Sequence, residues 1–147
     1  MNFEKVINRL NYIIEIAPSI LSEIGEEKMS VKLLPTKWSK KEILGHLIDS
    51  ATNNHQRFVR GQFENNPEIS YDQNKWNKYS FYQEIDSQQI IKFWTIYNTQ
   101  LLEIIKRIPS NHLSNQIRIG DNLLTLDYLI VDYVEHLEHH LCQIIEY

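Results

Sequence analysis

The chain has 147 residues, 42 % of them hydrophobic and 23 % charged, with a formal net charge of −4. That length suits one domain, spanning 1–147, with a buried core. No basic face or arm offers itself to nucleic acid, no apolar run is long enough to cross a membrane, and the single cysteine, Cys142, excludes an internal disulfide. The opening "MNFEKVINRL" does not read as a signal peptide, so the expected compartment is the cytoplasm. Four glycines and four prolines are too few for a loop-rich or all-β protein.

In chain order, Val6, Leu10, Ile13, Ala17, Ile20 and Ile24 recur at helical spacing and predict a first helix over about residues 3–24, with Gly25 as its stop. "EEKMSVKLLPTKW" reads as a connection. Ser39 followed by Glu42 forms a capping-box pattern and opens a second helix over about 40–62. Ile43, Leu47, Ala51, Asn54 and Phe58 give its inward stripe. "ENNPEISYDQNKWNKYS" shows no periodicity and reads as a long crossover, the kind of loop that is usually functional inside a compact domain. Asp86 or Ser87 caps a third helix to about Ile108, with Ile90, Phe93, Trp94, Tyr97, Leu101, Ile104 and Ile105 inward. "RIGDN", in the next connection, has the residues of a small turn. Thr125 opens a fourth helix to about Ile145. Four amphipathic helices predict an all-α, four-helix bundle with a long crossover connection.

The last segment, "DYVEHLEHHLCQIIEY", places three of the six histidines within five residues. An α-helix turns about 100° per residue, so residues four apart project to the same side. Leu126, Ile130, Leu137, Leu141 and Ile144 centre the apolar arc. His136 and His140 lie together at its edge, and His139 falls toward solvent. Such a pair can bind one divalent ion, and it can equally be a solvated flank. A third ligand must come from another helix. The candidate is His46 in "EILGHLIDS", on a polar edge with Ser50, Asn53, Asn54 and Arg57. His55 reads as a core histidine, His112 lies in a connection, and Cys142 points away from the pair.

The segments "WSKKEILGHLIDSATNNHQRF", "YDQNKW" and "EHLEHH" together resemble the DinB-like superfamily, and within it the YfiT-like metal-dependent hydrolases and bacillithiol transferases. The resemblance runs over nearly the whole chain. It implies a four-helix bundle in which His46, His136 and His140 bind one divalent metal. It also implies that the protein is a homodimer. Two positions depart from the pattern. Glu135 stands where an aromatic residue is usual before the first histidine of the pair, and Gly45 stands where another histidine is frequent.

Three neutral imidazoles leave coordination positions open, which is the pattern of a catalytic site. Zn²⁺ or Ni²⁺ suits such a set. The ion can generate hydroxide for hydrolysis or favour a thiolate for transfer to an electrophile. The resemblance favours a low-molecular-weight thiol and a small-molecule substrate; a non-catalytic metal-binding bundle is the remaining alternative. Asp49, Ser50, Asn53, Asn54, Arg57 and Tyr133 are candidates to support the site or line a pocket, with Arg57 for an anionic group. Tyr71, Asp72 and Trp76 of the crossover are candidates to close its mouth.

Overall fold

A computed structural model describes residues 2–147. Four long helices carry the architecture: α1 (Phe3–Ser22), α3 (Lys40–Arg60), α5 (Ser87–Ile105) and α6 (Leu126–Leu141). Two short helices, α2 (Glu26–Ser30) and α4 (Gln73–Tyr79), lie in the first two connections, and a two-stranded hairpin, β1 (Gln116–Ile119) and β2 (Asn122–Thr125), precedes α6. α1 packs on α5 and α6, and α3 packs on the same two helices. The first two long helices are therefore diagonal to one another, as are the last two. This is not an up-and-down arrangement, because the first and third connections cross a diagonal of the bundle.

The second and third long helices start at their sequence signals, whereas Thr125 precedes α6 without a side-chain cap. Ser39 accepts from the Glu42 N–H at 3.1 Å while the Glu42 side chain accepts from the Ser39 N–H at 3.0 Å, completing the capping box. Asn2 caps α1 and Asp86 caps α5 through their side chains. The core runs through Leu10, Ile13, Leu21, Leu44, Leu47, Phe58, Trp94, Leu101, Leu126, Ile130 and Leu137.

Several expectations are corrected. α1 stops two residues short of Ile24, because Gly25 at φ +85 turns the chain into α2, whose Met29 is buried. α6 ends at Leu141, so Ile144 and Ile145 are buried beyond the helix. Phe93 does not face the core and is half-exposed. It neighbours Trp94, and residues one apart on a helix cannot share a face. "RIGDN" is the small turn its residues suggest, a two-residue hairpin turn in which Ile119 pairs with Asn122 and Gly120 takes φ +59, a conformation open to glycine without steric cost. The aperiodic crossover is pinned, since the Ile69 N–H donates to Arg118 O at 3.0 Å and the Arg118 N–H to Pro67 O at 2.9 Å. Asp72 then caps α4 by accepting from the Asn74 and Lys75 N–H groups.

Candidate metal centre

His46 sits on the second turn of α3, completely buried. His136 and His140 sit one turn apart near the end of α6, each half-buried. α3 packs directly on α6, so the three imidazoles meet between the two helices. His46 Nε2 and His136 Nε2 are 3.1 Å apart, and one ligand nitrogen from each of the three rings lies within 4.8 Å of the others. The ring centroids are 4.6–5.0 Å apart, and each pair of planes crosses at 70–79°. The rings therefore stand edge-on around a common point instead of stacking.

Two tests ask whether a metal fits. Two imidazole nitrogens held about 2.0–2.1 Å from one ion stand roughly 2.9–3.4 Å apart for angles between octahedral and tetrahedral. The 3.1 Å separation lies inside that range. The second test is protonation. Burial is the main cause that depresses the His46 and His136 imidazoles to about 4, and the neighbouring histidines push in the same direction. Both are neutral at pH 7, as ligation requires. His140 Nδ1 lies 3.2 Å from Gln143 Oε1. An amide oxygen only accepts, so His140 carries its hydrogen on Nδ1 and keeps a lone pair on Nε2. His46 Nδ1 is buried without a partner. Nε2 of the same ring is the nitrogen that faces His136, so Nε2 is the candidate ligand, while Nδ1 stays unpaired on the other side of the ring at a cost on the order of 1–3 kcal/mol. The residues fit a single divalent ion.

His139 is exposed and its ring Nε2 is 3.5 Å from the Gln143 amide nitrogen. Outside the site, His55 Nδ1 meets the Tyr97 hydroxyl at 3.0 Å, and His112 lies 3.4 Å from Gln62. Cys142 is exposed, with Tyr147 as its neighbour.

The candidate pocket residues divide. Asp49, Ser50, Asn53, Asn54 and Arg57 are all buried along α3, but most are committed to local bonds. The Asn53 and Asn54 amides donate back to Asp49 O and Ser50 O, both at 2.9 Å. Arg57 donates from Nε and Nη2 to Ile69 O and from Nη1 to Asn54 Oδ1, so its guanidinium anchors the crossover. Tyr71 lies beside Arg57, which opposes the upward pull of burial on the phenol, and its ring meets Trp76 edge to face. Asp72 is spent on the α4 cap. Tyr133 turns into the core and donates to Asn98 Oδ1 at 2.5 Å. Asp49 accepts from the Tyr82 hydroxyl at 2.5 Å, its second oxygen is buried without a partner, and burial lifts its carboxyl to about 6.

Two further residues support the histidines. Trp38 packs against His46 with centroids 5.0 Å apart and planes tilted by 35°, and Gln143 holds His140. Gln143 was findable, because it stands three residues after His140 on a helical path. Trp38 was not, because it lies in a connection without periodicity.

The sequence model of the DinB superfamily matches residues 13–144. Among solved structures, the fold superposes on YfiT from Bacillus subtilis with a TM-score of 0.86, at 19 % identity, covering 97 % of this chain and 83 % of that one. YfiT is described as a probable metal-dependent hydrolase with an unusual four-helix bundle topology. A second match is a mycothiol-dependent maleylpyruvate isomerase, with a TM-score of 0.79 at 9 % identity, covering 98 % of this chain but only 61 % of the isomerase. No curated protein gives a significant match. The bundle with its diagonal connections and the match over most of the sequence agree: the chain belongs to the DinB superfamily.

Proposed function

We propose that this protein is a metal-dependent enzyme in which His46, His136 and His140 hold one divalent ion, Zn²⁺ or Ni²⁺, and that it transfers a low-molecular-weight thiol to an electrophilic small molecule. The observation that carries the reading is the convergence of three imidazoles on one point, two of them 3.1 Å apart and neutral by burial. When bound, the ion supplies Lewis acidity, which brings a thiol or water to its ionised form near neutral pH. The chain's own groups do the rest. Gln143 fixes the His140 tautomer and leaves Nε2 free. Trp38 covers the His46 ring and keeps it from solvent. Arg57 ties Ile69, and so the crossover, against α3.

Hydrolysis is the second reading, favoured by the likeness to YfiT. The mycothiol-dependent neighbour supports the first. The experiment presents metal-loaded protein with a reactive electrophile and with activated esters, each with and without a low-molecular-weight thiol. Turnover of the electrophile that needs both metal and thiol supports transfer. Metal-dependent turnover of ester by water alone reverses the ranking. A filled metal site without turnover of either leaves a binding module.

The same reading places the protein in the cytoplasm as a homodimer. No helix among the described residues is long and apolar enough to cross a membrane. Phe93 and Ile96, both exposed on one side of α5, support a self-association face.

A further inference from the structure

Among the described residues, fourteen large hydrophobic side chains are exposed, and six of them crowd into two short segments. Val31, Leu33 and Leu34 stand in the first connection, and Trp76, Tyr79 and Phe81 stand in and just after α4. Leu33 is 84 % exposed. Phe81 is exposed from a backbone at φ +57, a conformation that side chains larger than glycine rarely adopt. The two segments meet, since Lys32 and Pro35 share a crevice of about 330 Å³ with Asn74, Lys78 and Phe81. Residues 31–37 and 73–81 also carry Lys32, Lys37, Lys75 and Lys78 and no acid, in a chain of net charge −4. Glu42 and Glu84 reach the crevice from outside these segments. Glu42 takes Lys32 at 3.1 Å, and among the described residues no carboxylate lies within ion-pair distance of Lys37, Lys75 or Lys78. Lys78 lies over the exposed Tyr79 ring, 5.5 Å from its centroid.

This mixture selects among occupants. A two-fold dimer sets a face against its own copy, which would bring these lysines together with no acid to receive them. A nucleic acid would take the lysines and stack on the rings, but it offers Val31, Leu33 and Leu34 nothing apolar to enter. An anionic bilayer answers both features. Its surface is negative, its acyl boundary accepts aliphatic and aromatic side chains, and Trp and Tyr settle at headgroup depth. We propose that residues 31–37 and 73–81 form a face that binds reversibly to an anionic phospholipid surface, with Leu33, Leu34 and Phe81 entering the acyl boundary and Lys37, Lys75 and Lys78 lying against the headgroups. No helix among the described residues is long and apolar enough to cross a membrane, so the attachment is peripheral. It needs neither metal nor thiol, and it stands or falls apart from the metal centre.

The test is co-sedimentation of the full chain with vesicles of phosphatidylcholine alone and of phosphatidylcholine with an equal part of phosphatidylglycerol. A lysine beside such an anionic surface is worth about fivefold in partition at low salt. Unaltered protein should therefore bind the anionic vesicles at least about tenfold more tightly than the neutral ones, and high salt should remove most of the difference. The double variant Lys75→Glu with Lys78→Glu should lose at least about tenfold. Leu33→Asn, at a position too exposed to disturb the fold, should lose severalfold. Lys106→Glu, at the opposite end of α5 from Ser87, changes charge away from the face and should leave binding nearly unchanged. The lipid and salt arms use unaltered protein, so they stand even if the α4 variant misfolds. Absence of binding to either vesicle, equal binding to both, or equal loss in the Lys106 and α4 variants overturns the assignment. So does unchanged vesicle binding in Leu33→Asn, including the case in which that variant splits a dimer seen by sedimentation velocity. Binding of a single-stranded oligonucleotide through Lys75 and Lys78, with none to vesicles, overturns it in favour of nucleic acid.

Discussion

Gly45 packs against the ring of Tyr82 so closely that a Cβ built on Gly45 would lie 2.1 Å from Tyr82 Cδ2. The contact brings the Tyr82 hydroxyl to Asp49, one turn further along α3. A side chain at position 45 must push Tyr82 out, and the bond to Asp49 goes with it. Gly45→Ala should therefore destabilise the protein by about 2 kcal/mol or more, even though alanine is the better helix former by roughly 1 kcal/mol. Urea unfolding checks this. A stabilised Gly45→Ala would mean that Tyr82 does not pack there.

Asp49 makes a second prediction. Its folded carboxyl is raised to about 6, against an ordinary value of 3.8. The folded state thus holds the proton more tightly than the unfolded chain. The favourable contribution is present below pH 4 and is lost as pH rises through about 6, so above that the ionised group opposes folding. Asp49→Asn should raise the stability of metal-free protein by about 1–2 kcal/mol at pH 7.5, and by little or nothing at pH 4. Unfolding curves at the two pH values read the difference. An equal effect at both would show that Asp49 is not held protonated by burial.

His46 and His136 carry the opposite sign. Their folded imidazoles lie at about 4, below an unfolded value near 6.5. Their contribution is fully present above about pH 6.5 and is lost as pH falls toward 4. Metal-free protein should lose roughly 2–3 kcal/mol through His46 alone across that window. The His46→Gln variant should show a flatter dependence there, whatever its absolute stability. Matching slopes in the two proteins would contradict the burial of a neutral His46.

In the first turn of α3, the buried Lys41 pairs with Glu26 of α2, which also accepts from the Ser87 N–H at the start of α5. The Lys41 partner, followed by Ser87, holds the Glu26 carboxyl down to about 2. Lys41 also donates to Gln83 O, and Gln83 accepts from Ser39. Removing the acid leaves a buried ammonium without its charge partner, whereas removing the lysine leaves a carboxylate that water can reach. Glu26→Ala should cost roughly 2–4 kcal/mol, more than Lys41→Met. Thermal unfolding of the two variants ranks them, and the reverse order would mean that Lys41 finds water once Glu26 is gone.

The four long helices were legible because each carries an apolar stripe and a side-chain or glycine signal at one end. His136 and His140 were legible as a pair for the same geometric reason. His46 was legible only as one candidate on a polar edge, because spacing within one helix says nothing about which other helix faces it. α2 and α4 escaped because elements of five and seven residues are too short to show a period. The hairpin escaped because its strands have four residues each and little alternation. The roles of Arg57 and Tyr133 were hidden because their partners, Ile69 O and Asn98 Oδ1, are 12 and 35 residues away. A polar residue at a helix edge looks the same in sequence whether it meets substrate, backbone or core.

If His46, His136 and His140 together hold one divalent ion, each of them is needed for it to bind and His139 is not. The most direct measurement is metal content by mass spectrometry after Zn²⁺ loading and desalting, for the unaltered protein and for four single alanine variants. About one ion per chain is expected in the unaltered protein and in His139→Ala, since His139 lies outside the convergence point. His46→Ala, His136→Ala and His140→Ala should each lose nearly all of it. Equal retention in all four variants, or equal loss in all four, would contradict a three-histidine site.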